Sequence, residues 1–288
     1  MSWKILRVLT TNACNYNCFY CHNEGQNDKR TITEMKFEDF LIVAKKLFDT
    51  SITEIRFSGG EPLLNADTIR MVEWASEFTN LEVGIATNGS LITKDLAARI
   101  ANTRALMTVH LPSTDNEHYK QVTGFSYMDA LHGLEFLDYY NVNYSLNYVA
   151  HEKTLDNMEN VIQFAVKNRC QLKVLPYINK NVKKFADLKS LIAEKLQKYT
   201  YSFEYDDVCG INWWFLPNGA RIKLISTPCM DNNIGLCKEY AELRLLPDMR
   251  LQRCIFDEPV IIKNIDSFTR EINMLWNEFY HCPLGRIT

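Results

Sequence analysis

Six short β-rich runs alternate with amphipathic helical stretches over residues 1–177, and this alternation constrains the fold more than any other feature. The runs read ILRVLT, TEIRFS, EVGIAT, ALMTVHL, NYSLNYV and QLKVLPY. Six βα units around a parallel sheet predict an α/β fold, a partial (β/α)6 TIM barrel. Helical stretches with apolar residues three and four apart lie near Lys36–Phe48, Thr68–Phe78, Lys94–Ala101, Tyr127–Tyr140 and Leu155–Lys167.

The pattern changes after Tyr177. One polar helical stretch, Lys184–Lys198, is followed by the β-like runs INWWFLP, ARIKLIS and ELRLLPDMRLQRC and by a last helical run at Phe268–Tyr280. We therefore predict two units. Residues 1–177 form the barrel, and residues 178–288 form a smaller C-terminal module of β-hairpin and helix.

Composition narrows the class of protein. Apolar residues make up 47% and charged residues 23%, which is typical of a soluble globular chain. The net charge of −3 does not favour a nucleic-acid partner. The sequence shows neither a signal peptide nor an apolar run of about 18 residues, so we expect a cytoplasmic protein with no membrane partner. Disulfides rarely persist in the cytosol, so the nine cysteines point to metal ligation.

Three cysteines, Cys14, Cys18 and Cys21, follow the first predicted strand at C-x3-C-x2-C spacing. Such a loop can aim three thiolates at an iron–sulfur cluster or at zinc, since both prefer sulfur ligands. A structural zinc site needs four ligands, and His22 is poorly placed to be the fourth. The spacing alone leaves open a zinc knuckle that uses His22, or three unrelated buried thiols.

Three further motifs follow the next three strands. They are SGGEP at Ser58–Pro62, ATNGS at Ala86–Ser90 and VHLPSTD at Val109–Asp115. Each alone is ordinary turn chemistry. The carboxyl ends of parallel strands meet at one edge of a sheet, so we expect these motifs to lie beside the three cysteines.

The pattern C-x3-C-x-aromatic-C, with Tyr20 as the aromatic residue, and the GGEP motif resemble the radical S-adenosylmethionine (SAM) superfamily. The resemblance implies a 4Fe-4S cluster on Cys14, Cys18 and Cys21 that binds SAM and cleaves it to a 5′-deoxyadenosyl radical, which abstracts a hydrogen from the substrate. At His110 relatives usually carry serine. The resemblance implies further SAM contacts at Tyr20, Ser58, Gly59, Gly60, Glu61, Pro62, Thr87, Asn88, His110, Ser113 and Asn147.

A second set of cysteines, Cys229, Cys237 and Cys254, lies in the C-terminal module. A turn at Pro247–Met249 predicts a hairpin that returns Cys254 toward the other two. This region resembles the radical SAM GTP cyclases of molybdenum-cofactor biosynthesis. The resemblance implies a second 4Fe-4S cluster on Cys229, Cys237 and Cys254. A fourth ligand is left open between Cys209 and Cys282, and a zinc site or free thiols are the alternative.

Two differences from those cyclases argue against GTP as the substrate. Tyr240 stands where they carry the middle cysteine of a C-x2-C-x13-C set, and the sequence reads CPLGRIT at its end, where they carry two glycines. We therefore expect a small-molecule, nucleotide-like or peptide substrate in cofactor or natural-product biosynthesis. The electron would come from a donor such as flavodoxin or ferredoxin.

Three other functions are considered beside this one. The first is a maturase that modifies ribosomally made peptides, and the sequence leaves it open. The second is an activase that installs a glycyl radical on a partner protein, against which the C-terminal cysteines argue. The third is a non-catalytic iron–sulfur sensor or scaffold. An intact C-x3-C-x2-C motif together with GGEP argues against the third, because a scaffold needs no SAM pocket.

Overall fold

The strands that the structure describes belong to one sheet. The computed structural model describes residues 2–26, 31–177, 188–206, 210–225, 234–239, 241–262 and 265–279. The strands in these ranges are β1 (Ile5–Leu9), β2 (Glu54–Ser58), β3 (Glu82–Thr87), β4 (Leu106–His110), β5 (Tyr144–Ala150), β6 (Gln171–Pro176), β7 (Ser202–Asp206), β8 (Ile211–Phe215), β9 (Arg221–Ile225), β10 (Glu242–Leu245), β11 (Arg250–Gln252) and β12 (Val260–Ile261).

Nearly every crossover between the parallel strands contains a helix. Two of the helices follow β4, and one comes after β12. The helices are α1 (Phe37–Ala44), α2 (Thr68–Phe78), α3 (Lys94–Ala101), α4 (Asn116–Thr123), α5 (Tyr127–Tyr139), α6 (Met158–Lys167), α7 (Leu188–Lys195), α8 (Ile234–Glu239) and α9 (Phe268–Asn277).

The strand order is β12-β11-β10-β1-β2-β3-β4-β5-β6-β9-β8-β7. Strands β1 to β6 pair in parallel with their neighbours, and β10 and β9 extend this parallel sheet beside β1 and β6. The outermost strands on both sides are antiparallel. Since β12 and β7 are separate edges, the sheet is open, and the predicted α/β partial barrel is confirmed.

Strands from both predicted units share the sheet. Residues after 177 supply β7 to β9 at one edge and β10 to β12 at the other. The boundary at residue 177 stays a prediction.

The two faces of the sheet differ in chemistry because side chains alternate along a strand. Leu6 and Val8 of β1 are fully buried and belong to the hydrophobic core, which also contains the apolar helix residues. Arg7 lies between them on the other face, which we call the inner face. In register with Arg7 are Arg56 of β2 and Arg244 of β10.

Helices α4 and α8 were not predicted, whereas each helix predicted from the sequence is present within a few residues in the described ranges. Asp115 caps α4 by accepting a hydrogen bond from the His118 N–H at 2.8 Å, and Gly124 ends it at a φ of 84°. Its eight residues are largely polar, so their apolar periodicity is weak. Residues 184–187 of the predicted helix Lys184–Lys198 lie outside the described residues.

The N-terminus is joined to the last helix. Trp3 is fully buried, donates its indole N–H to the Ile272 carbonyl at 2.8 Å and packs edge-on against Trp276 at 5.0 Å. Among the helices of the described segments, none is long and apolar enough to cross a membrane.

Candidate active site

The four sequence motifs converge on the carboxyl edge of the sheet, as predicted. The cysteine loop, residues 12–22, follows β1, and SGGEP begins at the last residue of β2. ATNGS and VHLPSTD begin within β3 and β4 and continue beyond their ends. Adjacent parallel strands thus bring the motifs to one place.

Backbone N–H groups point at two of the three thiols. Tyr16 N–H donates to Cys14 Sγ at 3.3 Å, and Asn23 N–H donates to Cys21 Sγ at 3.2 Å. Burial, with a smaller contribution from the neighbouring thiols, raises the pKa of Cys14 to about 11 and that of Cys18 to about 12. In the parts of the chain that the structure describes, no three His, Cys, Asp or Glu side chains form a group fit for one metal ion.

The cysteine loop rests on the C-terminal end of α4. Asn17 N–H donates to the Thr123 carbonyl at 2.9 Å, and Phe19 N–H donates to the Val122 carbonyl at 3.3 Å. Tyr16 is buried and stacks on Phe125 with ring centroids 4.9 Å apart. The unpredicted helix therefore supports the cysteines.

Gly59 and Gly60 hold the SGGEP segment against the cysteine loop. Gly60 N–H donates to the Thr11 carbonyl at 2.8 Å, and Glu61 N–H donates to the Ala13 carbonyl at 2.7 Å. A Cβ on Gly59 would lie 2.4 Å from the Thr11 carbonyl oxygen, and one on Gly60 would lie 2.0 Å from that of Ala13. Only glycine fits such a close approach of two backbones.

Glu61 joins SGGEP to ATNGS through its buried carboxyl group. Oε1 accepts hydrogen bonds from the Thr87 hydroxyl at 2.7 Å and the Leu63 N–H at 3.0 Å, and Oε2 accepts one from the Asn88 N–H at 2.7 Å. Burial raises the pKa of Glu61 to about 7, and these donors oppose the rise. Glu61 therefore faces protein groups.

Asn88 connects ATNGS to the cysteine loop. Its side-chain amide donates to Asn15 Oδ1 at 2.8 Å, and Asn15 in turn donates to the Ser90 hydroxyl at 2.9 Å. Asn15 lies between Cys14 and Cys18, so these bonds help fix the loop. The Asn88 amide also acts to lower the pKa of Cys14, which places it close to that thiol.

Tyr20, His110 and Asn147 lie together at the ends of neighbouring elements. Tyr20 Oη is 2.7 Å from His110 Nε2, and both side chains are largely enclosed. His110 of β4 is in register with Asn147 of β5. Burial lowers the pKa of His110 to about 4, although a hydrogen bond with the Asn147 backbone opposes this. His110 is therefore neutral at pH 7, and its Nε2 can accept a hydrogen bond from the Tyr20 hydroxyl.

The remaining predicted SAM contacts lie in two places. Ser58 donates its hydroxyl to Glu24 at 3.3 Å, and buried Pro62 begins a 3-10 turn beside Glu61. Ser113 is fully buried and accepts the Asp115 N–H at 3.0 Å, so its hydroxyl is engaged within its own loop. The SAM contacts of all these residues stay predictions.

Arginine and glutamate pairs cover the inner face near β1 and β2. Arg7 and Arg56 both form ion pairs with Glu242 of β10. Arg56 also pairs with Glu54, donating from Nη2 to Oε2 at 2.8 Å. The charges on these strands are thereby largely compensated.

Glu24 extends this network to the cysteine loop. It forms an ion pair with Arg244 and lies 3.7 Å from Arg7 Nη1. Burial acts to raise the pKa of Glu24, but the two guanidinium charges overcome it and lower the pKa well below its ordinary value. Glu24 therefore stays ionised.

Lys173 of β6 is also a cation on the inner face, but unlike the arginines it has a neutral hydrogen-bond partner. Its ammonium donates to the neutral hydroxyl of Thr108 at 3.3 Å. Burial, together with the charges of Arg56 and Lys223, lowers the pKa of Lys173 to about 8, although the charge of Glu54 opposes this. Its Cα is in register with Asn147 of β5, which is itself in register with His110 of β4.

The second cysteine set is only partly described. Cys237 lies in α8 and Cys254 directly after the β10–β11 hairpin, and both are half-buried. The hairpin and its turn at Pro247–Met249 are present as predicted, with the Met249 N–H donating to the Leu246 carbonyl at 3.0 Å. Cys209, Cys229 and Cys282, and Tyr240 with them, lie outside the described residues.

This arrangement belongs to a known class of enzyme. The family model of the Radical SAM superfamily matches residues 8–165, more than half of the 288 residues. The chain therefore belongs to the radical SAM superfamily and is a radical SAM enzyme. Membership implies a 4Fe-4S cluster and SAM. When bound, the reduced cluster supplies the electron that cleaves SAM to a 5′-deoxyadenosyl radical.

Curated relatives cover most of the chain at low identity. A probable GTP 3′,8-cyclase of Saccharolobus islandicus is 26% identical over 274 residues, which are 92% of this chain and 87% of the relative. A probable GTP 3′,8-cyclase of Sulfurisphaera tokodaii is 29% identical over 165 residues, 56% of this chain and 52% of the relative.

Solved structures share the fold. The structure of Streptococcus suis SuiB bound to S-adenosylmethionine matches with a TM-score of 0.72 at 14% identity, over 99% of this chain and 72% of that one. The structure of anSMEcpe with bound AdoMet matches with a TM-score of 0.64 at 14% identity, over 93% of this chain and 79% of that one.

Sequence reasoning missed several residues that organise the site. Asn15 and Glu24 lie within or just after the cysteine motif, but their bonds go to residues far away in the sequence, Asn88 and Arg244. Glu24 and Arg244 are both visible in the sequence, but the sequence does not indicate that they form an ion pair. Nothing in a single sequence pairs them.

Proposed function

We propose that Cys14, Cys18 and Cys21 hold the 4Fe-4S cluster of this radical SAM enzyme and that the substrate binds on the inner face beneath it. The observation that supports this most is the close approach of the cysteine loop and SGGEP, where two glycines leave no room for a Cβ. That contact sets the thiols beside the ends of β2 and β3, where SAM would bind.

The donor set fits such a cluster. Three thiols come from one short loop, and two of them already receive backbone N–H groups, which stabilise negative charge on sulfur. His22, the residue considered for a fourth zinc ligand, accepts the Glu24 N–H at its Nδ1 at 3.1 Å. That nitrogen is engaged inside the turn, which favours a three-thiolate cluster over a zinc site.

Among the described residues, the charges of the inner face support a substrate with few negative charges. The arginines Arg7, Arg56 and Arg244 all have carboxylate partners, whereas Lys173 contacts a neutral hydroxyl. A triphosphate needs several free cations. We therefore propose a small-molecule or nucleotide-like substrate that presents one anionic group to Lys173. The relatives named probable GTP 3′,8-cyclases support a cyclase-like branch, whereas the charges of the inner face favour a substrate other than GTP.

A peptide is the second candidate substrate. The structure of SuiB bound to its precursor peptide SuiA matches all of this chain with a TM-score of 0.72. A peptide carboxylate, from a side chain or a terminus, would suit Lys173 equally well. The reaction and the roles of the cysteines would be the same.

A second 4Fe-4S cluster on Cys229, Cys237 and Cys254 is part of the proposal. Cys254 follows a hairpin that pairs with β1 through β10, the strand leading into the first cysteine loop. The electron would come from a small donor such as flavodoxin or ferredoxin. Cys209 and Cys282 are both kept as candidates for a fourth ligand.

The cluster proposal is tested by anaerobic reconstitution, iron and sulfide counting and electron paramagnetic resonance. We expect the Cys14/Cys18/Cys21→Ala variant to lose one 4Fe-4S cluster, the SAM-dependent change of the spectrum and 5′-deoxyadenosine formation. Cys170→Ala is the matched control, because Cys170 is a buried free thiol remote from the loop in sequence. A triple variant that still cleaves SAM contradicts the assignment of these cysteines.

The substrate proposal is tested by the stimulation of 5′-deoxyadenosine formation in the holoenzyme. GTP and guanosine monophosphate are compared, together with short peptides. We expect GTP to give no more stimulation than the monophosphate, and Lys173→Met to weaken the response to any stimulating compound at least tenfold. Saturable stimulation by GTP that Lys173→Met leaves unchanged contradicts the charge argument.

A further inference from the structure

The turn that follows the last cysteine is held in an unusual backbone conformation. Asn23 and Glu24 have φ values of 47° and 53°, in the left-handed region that residues other than glycine rarely adopt. Such a conformation persists only when surrounding contacts hold it. Some of these contacts lie within the turn, where the Glu24 N–H donates to His22 Nδ1 and the Gln26 N–H donates to the Asn23 carbonyl. The contacts from outside the turn reach the Glu24 carboxylate and come from Arg244, Arg7 and Ser58.

The turn also carries a hydrogen bond to a proposed cluster ligand. Its Asn23 N–H donates to Cys21 Sγ at 3.2 Å. Hydrogen bonds to cluster sulfurs are among the features that set the reduction potential of an iron–sulfur cluster, since they stabilise the extra electron of the reduced form. If the turn relaxes, the Asn23 N–H no longer points at Cys21 Sγ.

The arginine that holds Glu24 comes from the far end of the sequence. Arg244 lies on β10, in register with Arg7 of β1, and its ion pair is formed with Glu24. Arg7 already pairs with Glu242, so Arg244 is the more specific anchor for Glu24. The strand that leads to the second cysteine set is therefore tied to the loop of the first.

We propose that Glu24 and Arg244 are positioning residues for the SAM-cleaving cluster: their ion pair fixes the turn that aims the Asn23 N–H at Cys21 and thereby raises the reduction potential of the cluster. The inference rests on the proposed function, in which Cys21 is a cluster ligand. It assigns to Arg244 a role within the protein and not toward substrate.

The measurement is a redox titration of the reconstituted holoenzyme, followed through the paramagnetic signal that responds to SAM. Arg244→Met frees the turn, and we expect this loss of positioning to disfavour the reduced cluster. We expect the equilibrium constant for reduction to fall about tenfold, which is about 59 mV for one electron. Arg250→Met is the matched control, since exposed Arg250 pairs with Asp248 on the same hairpin and is expected to titrate as wild type.

A double-mutant cycle separates positioning from a simple effect of charge. In a Glu24→Gln background, Arg244 no longer has an ionised partner, so we expect Arg244→Met to change the constant less than twofold. An Arg244→Met effect of the same size in both backgrounds overturns the proposal, as does a wild-type potential in Arg244→Met.

Two further variants keep the outcome clear. If the Arg244→Met protein binds no cluster, Arg244→Lys is titrated in its place, because lysine keeps the charge but replaces the planar guanidinium by a flexible ammonium group. About a threefold shift in the same direction is expected, and a wild-type value for Arg244→Lys overturns the idea. Failure of the proposed function itself would show separately, as a SAM-responsive signal that survives in Cys14/Cys18/Cys21→Ala.

Discussion

Thr87 at the end of β3 donates its hydroxyl hydrogen to Glu61 of the SGGEP segment at 2.7 Å, inside the protein. The same carboxyl group accepts the Asn88 and Leu63 N–H groups. Three donors on one buried carboxyl group fix the relative position of the SGGEP and ATNGS motifs, while Asn88 carries the connection onward to Asn15 of the cysteine loop. The site is therefore a set of loops locked to each other, not side chains placed independently.

Glu61→Gln is expected to weaken the hydrogen bonds that hold these loops together. The NH2 of glutamine, which replaces one carboxyl oxygen, cannot accept a hydrogen bond, so at least one buried donor loses its partner at a cost of about 1–3 kcal/mol. At pH 8, where the carboxyl group with a pKa of about 7 is mostly ionised, we expect a lower unfolding temperature and weaker SAM binding. Calorimetry of unfolding and equilibrium SAM binding measure these. Glu73→Gln, on the exposed Arg99 ion pair, is the control, and equal effects of the two substitutions contradict the argument.

Gly60→Ala is expected to prevent the cysteine loop from reaching its position. The new methyl group would lie 2.0 Å from the Ala13 carbonyl oxygen, and backbone has to move by more than an ångström to relieve the clash. Overpacking of this kind costs about 1–3 kcal/mol. The iron content after reconstitution should fall to less than half of the wild-type value.

Gly84→Ala provides the control for that prediction. Gly84 lies on β3, where an added Cβ meets nothing closer than the Arg56 side chain at 3.7 Å. It should keep its iron and its unfolding temperature. Equal iron contents for Gly60→Ala and Gly84→Ala would mean that the close approach does not position the cysteines.

The central fold could be read from the sequence because its signals are local. The predicted runs ILRVLT to QLKVLPY became β1 to β6, since periodicity and β-branched residues act over a few positions. The pairing of β10 with β1 and of β9 with β6 could not be read in this way. Those contacts join residues about 50 to 240 positions apart, and no pattern in one sequence links them.

The parts of the site that lie in recognisable sequence motifs could be predicted, whereas the parts that depend on tertiary contacts could not. The convergence of the four loops followed from parallel strands, and the structure confirms it. The support from α4 did not follow, because its Val122 and Thr123 act through backbone carbonyls that any residue could offer. Glu24 was equally hidden, since its role depends on Arg244 at the other end of the chain.

Lys173 should make stability depend on pH. Its folded pKa of about 8 lies below the ordinary value of 10.5, so above pH 8 the unfolded chain binds the proton that the folded chain has released. The contribution of Lys173 to the free energy of unfolding is thus lowest below pH 8 and rises toward pH 10.5. Lys173→Met should stabilise the protein by roughly 1–2 kcal/mol at pH 7, with a smaller gain at pH 9.5.

Anaerobic thermal unfolding at the two pH values measures this difference. The exposed Lys45→Met is the control and should change neither value. Stabilisation by Lys173→Met, joined to a loss of substrate response, is the behaviour of a residue kept for function at the expense of stability. A Lys173→Met protein that is less stable than wild type at pH 7 would contradict the idea that the buried ammonium is a cost to the fold.

Trp3→Ala should detach the last helix from the sheet. Trp3 is fully buried, packs against Trp276 and Phe279, and donates to the Ile272 carbonyl of α9. Removal of so large a side chain from a core costs about 3–5 kcal/mol. Trp3→Phe keeps much of the contact area but loses the N–H donor, so it should lie between wild type and alanine. Denaturant unfolding followed by circular dichroism gives the three free energies of unfolding.

Met274→Ala is the control on the same helix, because Met274 is exposed at 48% of its surface and should change the free energy of unfolding by less than about 0.5 kcal/mol. Trp3 stands directly before β1, the strand that leads into the cysteine loop. Loss of the Trp3 anchor should therefore lower the iron content as well as the stability. Wild-type stability in Trp3→Ala would show that α9 is held by its other contacts, and that the start of β1 does not depend on the C-terminal helix.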